Sequence, residues 1–115
     1  MEILNASANL TTVDIYRLTK APNTQRMKDA IGQRIELSKW VVYEDENKKT
    51  GEMQKILAIA TPEGETFATN SPTFINDFLD MMELFTGAGE LVPAIIVESG
   101  ISKAEREFIT CVYSE

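Results

Sequence analysis

The sequence predicts a mainly β fold, a five-stranded barrel in the order β-β-β-α-β-β with an extra N-terminal strand or arm. The first reason is the order of patterns after residue 33, where three strand-like segments precede one isolated amphipathic helix and two more follow it. The second is length, because 115 residues can bury about two-thirds of their unfolded surface in one domain. The third is that no linker or repeat divides the chain. We therefore expect one domain, with residues 1–33 packed as a strand or arm on a barrel formed by residues 34–115.

The N-terminal third predicts one strand and a short helical stretch. Residues 10–18 are rich in β-branched and aromatic side chains, which favours an extended chain. Pro22 ends this strand, and residues 25–31 are expected to form one or two helical turns that stop at Gly32.

The next three segments predict a hairpin followed by a third strand. Residues 34–44 alternate apolar and polar side chains, and after Lys39 both parities are apolar, which is typical of a buried or bent strand. A polar turn over 44–51 ends in glycine and leads to a second strand over 53–61. A third, short strand is expected over 65–69 after a Pro-Glu-Gly turn.

The helix has clear boundaries. Ser71 followed by Pro72 is typical of an N-cap and a first helical position. Apolar residues between 74 and 85 recur every three or four positions with acidic residues on the opposite face, and Gly87 ends the helix. We expect the apolar stripe to close one end of the barrel.

The last two strands complete the pattern at residues 91–97 and 106–113. Three strands, a helix and two strands is the element order of the oligonucleotide-binding (OB) fold, whose outer strand face and two turns habitually hold ligands. A fold does not by itself determine a function, so the site residues must be argued separately.

The residue types present exclude most catalytic chemistry. The chain has no histidine, so histidine-based catalysis and histidine metal sites are not possible. No phosphate-binding glycine loop is present, and Gly87-Ala-Gly89 follows a helix rather than a strand. Cys111 lies among apolar residues, which favours a small buried side chain over a nucleophile. We expect a protein that is not an enzyme and needs no cofactor or metal.

The formal net charge of −7 is unevenly distributed. Residues 61–98 carry seven acidic and no basic side chains, while the other 11 acidic residues balance the 11 basic ones. The excess therefore lies on the predicted helix and its flanks, and ionic screening over about 8 Å would damp its effect on a ligand elsewhere. No apolar run approaches about 18 residues, and one cysteine cannot form an internal disulfide. The expected location is the cytoplasm, without membrane contact.

Aromatic and basic residues are interleaved on the predicted strands and turns. Single-stranded nucleic acid is held by rings stacked under bases and by cations along phosphates. In a regular strand Trp40 and Tyr43 point to opposite faces, so only one of them can stack on a base. We favour Tyr43 as the stacking residue. A bulge near Lys39 would change which of the two faces the ligand. For Phe67 and Phe108, a position in the core is as good an interpretation as a position facing the ligand. The candidate binding residues are Lys39, Trp40, Tyr43, Lys48, Lys49, Lys55, Phe67, Lys103 and Arg106.

Several short motifs spread over about three-quarters of the chain carry a family resemblance. They are Gly32-Gln33-Arg34-Ile35-Glu36, Val42-Tyr43, Glu63-Gly64-Glu65-Thr66-Phe67-Ala68, Ser71, Gly100-Ile101-Ser102-Lys103 and the Phe108 strand. On these residues the chain resembles small single-stranded DNA-binding proteins of tailed bacteriophages, including the replication protein type of phi29-like phages. The resemblance implies an OB-like barrel that coats displaced single strands during phage replication or recombination, in the cytoplasm of the host. It also implies base stacking by Tyr43 and Phe67 and a backbone contact by Lys103.

Two functions remain open from the sequence. The first is a sequence-tolerant single-stranded DNA-binding protein, monomeric or homodimeric, working with phage or host replication and recombination proteins. The alternative is a non-enzymatic protein-interaction module in which the same barrel and its acidic helix, imitating the charge of DNA, bind a replication or host factor.

Overall fold

The computed structural model describes all 115 residues and confirms the mainly β class, with 40% of residues in strands and 23% in helices. None of its helices has the length and apolarity needed to cross a bilayer. The elements in chain order are β1 (Glu2–Ala6), α1 (Thr12–Thr19), β2 (Gln25–Arg26), a 3₁₀ turn (Met27–Asp29), β3 (Arg34–Glu36), β4 (Lys39–Glu46), β5 (Met53–Ala60), β6 (Thr66–Thr69), α2 (Pro72–Gly87), β7 (Ala94–Ile101) and β8 (Glu107–Ser114).

The strands form two sheets that share one bent stretch of chain. A five-stranded sheet has the order β1-β4-β5-β6-β2, and a three-stranded sheet has the order β3-β7-β8. The strand expected over 34–44 breaks at Leu37 and Ser38, so that β3 belongs to one sheet and β4 to the other. At this break the Leu37 N–H donates to the Pro93 carbonyl beside β7, and the Ser38 N–H donates to the Ala60 carbonyl at the end of β5. The bend is therefore fixed to both sheets.

The main core fills the space between the two sheets and α2. The predicted stripe of α2 is confirmed, with Phe74, Ile75 and Phe78 buried. Its N-terminus is as predicted, since the Ser71 hydroxyl accepts a hydrogen bond from the Phe74 N–H and Pro72 takes the first helical position. These side chains meet buried residues of both sheets, among them Ile95. The predicted hairpin, third strand and last two strands are also present, with shifted ends.

No hydrogen-bonded closure joins the two sheets into a barrel, so the expected closed barrel is not confirmed. The last strand, β8, pairs only with β7. The free side of β6 is instead occupied by β2, which runs parallel to it through two residue pairs, Gln25 with Phe67 and Arg26 with Ala68. A gap therefore remains between β6 and β8.

The prediction of a strand over residues 10–18 is wrong, because most of this segment forms α1. A capping box at the start of α1 favours a helix over a strand in this segment. The Asp14 N–H donates to the Thr11 hydroxyl at 3.1 Å, and the Thr11 N–H donates to the Asp14 carboxylate at 2.9 Å. The N-terminal strand is β1, which pairs antiparallel with β4. Of the helical turns expected over 25–31, only the three-residue 3₁₀ turn forms.

Helix α1 packs on the face of the five-stranded sheet that points away from the main core. Leu18 is buried there against Val41, Tyr43 and Ala58. One ion pair holds the start of the helix, with Lys39 Nζ 2.8 Å from Asp14 Oδ1. The hydrogen bond from Lys39, followed by that from the Thr11 backbone, lowers the pKa of Asp14 from 3.8 to about 2.

We expect the free energy of unfolding to depend on the charge of Asp14 at low pH. Because the folded state lowers the pKa of this carboxyl, its stabilising effect is complete above about pH 4 and is lost as the pH falls through about 2. Asp14→Asn should remove this part of the pH dependence, as measured by urea unfolding in steps from pH 5 to pH 2. Asp80→Asn, an equal charge change at an exposed helix position, is the control. Identical pH profiles for the two variants would contradict the role of Asp14.

Candidate functional site

A broad concavity lies where the two sheets fail to meet. This groove has a volume of about 670 Å³ and is open to solvent. One wall consists of residues from β5 and β6, and the other of residues from β8 and the end of β7. Residues 26–29, Ile31 and Ser71, the N-cap of α2, also line the groove.

The groove combines apolar, amide and charged groups. Ile56 and Phe108 supply apolar surface on opposite walls. The Asn70 amide donates to the Gln54 carbonyl oxygen at 3.3 Å, which leaves the Gln54 NH₂ and the Asn70 carbonyl oxygen free to bond a ligand.

The charges that line the groove are balanced. Arg26 and Lys28 face Asp29 and Glu107, and the Arg26 guanidinium lies 3.5 Å from the Asp29 carboxylate. The groove is therefore polar but close to neutral. A ligand held there would depend on packing and hydrogen bonds more than on net charge.

The Phe108 ring occupies an outward position on β8. Its neighbours Ile109 and Cys111 point into the main core, and Phe108 has the opposite parity and lies outside that core. Phe108 is paired across β7 and β8 with Gly100. The ring is partly exposed and lines the groove, so the sequence alternative of a core position does not apply to it.

The structure buries the two rings that the sequence assigns to base stacking. Tyr43 is 6% exposed and lies under α1, where burial, and then the nearby Asp45, raise its pKa. Phe67 is 4% exposed and lies in the main core. The expectation that these rings are open to a ligand is wrong, because α1 covers one face of the sheet and the core covers the other.

The two predicted residues at the start of β4 also make internal contacts. Lys39 lies on the α1 face and is held by Asp14. Trp40 lies on the core face, half-buried, with its ring 5.2 Å from that of Phe78 in an edge-to-face arrangement. The predicted site residues of β4 therefore lie on opposite faces of one sheet, because side chains alternate between the two faces along a strand.

The remaining five predicted residues are exposed cations. Lys55 lies on β5 opposite Glu44. Lys48 and Lys49 lie in the β4–β5 turn, and the strand that follows supplies Gln54 and Ile56 to the groove. Lys103 and Arg106 lie in the β7–β8 turn, whose flanking strands supply Ser99 and Glu107. Both predicted basic turns thus extend from strands that line the groove.

None of the nine predicted residues itself lines the groove. Sequence reasoning missed Arg26 and Lys28 because it assigned their segment to helical turns. Phe108 carried a usable signal, since it alternates with the inward Ile109 and Cys111 on a predicted strand. The residues that sequence analysis did not assign are Arg26, Lys28, Gln54, Asn70 and Phe108.

Two of the three acidic residues of α2 lie apart from the groove, and the third, Asp77, accepts a hydrogen bond from the Thr110 hydroxyl on β8, next to the groove lining. Asp80 and Glu83 line a separate hollow on the outer side of the helix. Because a helix rises about 1.5 Å per residue, these two residues lie about 14 and 18 Å along the axis from Ser71. Both distances exceed the screening length of about 8 Å at physiological salt.

No group of three cysteine, aspartate or glutamate side chains is arranged to hold a metal ion. The Cys111 thiol is buried, and burial, with a smaller contribution from Asp77, raises its pKa from 9.0 to about 12. This thiol is protonated at neutral pH and is a poor nucleophile.

Tyr43→Ala should lower the free energy of unfolding by about 3 kcal/mol, because it removes a buried ring beneath α1. Tyr43→Phe keeps the ring and should retain most of the stability. Urea unfolding followed by Trp40 fluorescence measures both. Wild-type stability in Tyr43→Ala would mean that the ring is not packed in the protein.

Comparison of the chain with protein-family models, with curated proteins and with solved structures found no match.

Proposed function

We propose that the protein is a sequence-tolerant single-stranded DNA-binding protein and that an unpaired strand lies in the groove between β6 and β8. The observation that carries this proposal is the groove itself. It is an open channel with a partly exposed aromatic ring, free amide groups and two cations, and it has basic turns on the strands that line it. These are the groups that hold unpaired nucleotides.

The strand connections also support an oligonucleotide-binding fold. If β3 and β4 are taken as one bent first strand, it pairs with β5 on one side and with β7 on the other. A helix then lies between the third strand, β6, and the fourth, β7. We propose that the two sheets are an opened barrel of the OB type, in which β2 occupies the edge of β6 that the last strand would take to close it.

The charge balance favours single strands over a duplex. The chain carries a net charge of −7, and the lining of the groove is neutral, so binding by phosphate contacts alone would be weak. Stacking contributes about 1 to 3 kcal/mol per base and requires bases that are not already paired. The groove therefore favours a ligand whose bases are accessible.

Contacts to the DNA backbone come from few residues. The cations within reach of the groove are Arg26 and Lys28 in its lining and the lysines of the two turns. About two to four phosphate contacts, each adding a slope of about −0.7, give a log–log salt slope of about −1.4 to −2.8. The family resemblance points the same way, to a non-enzymatic protein that coats displaced strands in phage replication or recombination.

Titration of the protein with oligothymidylate, measured by fluorescence anisotropy at several salt concentrations, should give saturable binding with this shallow slope. A duplex of equal length should bind much more weakly. Replacing Lys48 and Lys49 by glutamine should make the slope shallower by up to about 1.4. Arg17→Gln, on exposed α1 and outside the groove, is the control and should leave the slope unchanged.

Absence of saturable binding at micromolar protein would reject the proposal and favour the second candidate, a protein-interaction module. A specific observation supports that candidate. Leu84 and Leu91 are 70% and 91% exposed, and Leu84 lies beside Asp80 and Glu83 in the hollow on α2. Exposed leucines among carboxylates without ion pairs are suited to a basic protein partner.

A further inference from the structure

Gly100 leaves room for a neighbouring side chain, and its own backbone conformation does not demand glycine. Its φ angle is not in the left-handed region, so any residue could adopt its backbone conformation. A Cβ atom at this position would, however, lie 2.5 Å from the para carbon of Phe108 and 3.0 and 3.1 Å from the two meta carbons. Glycine inside a strand is destabilising relative to alanine. The glycine is therefore explained by the close approach of the ring.

The nearly equal distances to the two meta carbons place Gly100 centrally under the outer end of the Phe108 ring. The end of the ring thus lies close against the backbone of β7. Its remaining exposed surface lines the groove. A partly exposed ring that is fixed in advance loses little side-chain entropy when a ligand stacks on it.

We infer that Phe108, seated on Gly100, is the platform on which an unpaired nucleobase stacks, with the Gln54 and Asn70 amides available to the base edge and Lys28 to the phosphate. This inference rests on the proposed function. It identifies a nucleobase as the part of the ligand that the groove holds. The free NH₂ of Gln54 and the free carbonyl oxygen of Asn70 offer one donor and one acceptor. Since every base carries both donors and acceptors on its edge, this pair tolerates all four.

The test compares the affinity of four variants for fluorescein-labelled oligothymidylate. Phe108→Leu should weaken binding by about 5- to 150-fold, the loss of one stacked base. Phe108→Tyr keeps a flat ring and should bind like the wild type. Gly100→Ala retains Phe108 but displaces its ring, and should weaken binding to a similar extent. Tyr113→Leu, which removes a more exposed aromatic that lies on the same strand and packs on Phe85, is the control and should bind normally.

A second measurement does not depend on the folding of any variant. Ultraviolet cross-linking of the wild-type protein to an oligonucleotide containing 5-iododeoxyuridine, followed by mass spectrometry, should place the adduct on the peptide that contains Phe108. If the wild type binds but Phe108→Leu binds equally well and the adduct lies elsewhere, this inference is overturned and the proposed function stands. If the wild type does not bind, both are rejected.

Discussion

The fold depends on one short stretch of backbone, at Leu37 and Ser38, where the chain passes from the three-stranded sheet to the five-stranded sheet. Consecutive N–H groups donate to carbonyls on opposite sides, one beside β7 and one at the end of β5. This arrangement holds the two sheets together at one edge and lets them diverge at the other. The core and α2 fill the closed side, and the groove is the open side.

The N-terminal segment determines which edges and faces of the two diverging sheets remain exposed to solvent. β1 covers the free edge of β4, β2 covers part of the edge of β6, and α1 covers the outer face between them. In a simple five-stranded barrel that outer face would be the ligand surface, and the sequence analysis placed Tyr43 there. Because α1 covers that face, the concavity that remains open to solvent is the gap beside β8.

The sequence predicted those elements whose signals are local. The cap and apolar stripe of α2, the polar turn of the β4–β5 hairpin and the alternation in β8 all lie within a few residues, and each is present. The segment 10–18 failed because two local signals compete there, and the capping box at Thr11 outweighed the β-branched side chains. Strand β2 could not be predicted, since its two residue pairs are formed with a strand about 40 residues away.

The site residues were predicted less well because alternation along a strand separates two faces but does not tell which face is covered. Trp40 and Tyr43 were correctly assigned to opposite faces, and both faces of β4 carry packed residues. The groove itself joins residues from five strands and the 3₁₀ turn, so no window of sequence contains it. Only the basic turns and Phe108 gave a signal before the structure was known.

The placement of α2 gives the molecule an electric dipole along the axis of this helix. Its positive N-terminal end lies at the groove, and the carboxylates of Asp80 and Glu83 and the negative C-terminal end lie up to about 24 Å away. The helix dipole and the side-chain charges therefore point the same way. Near a polyanion such a molecule experiences a torque that turns the acidic end outward and the groove inward. A strongly acidic protein with this charge distribution would approach a negatively charged polymer in one preferred orientation, because the uneven distribution of its charges orients it while its net charge repels it.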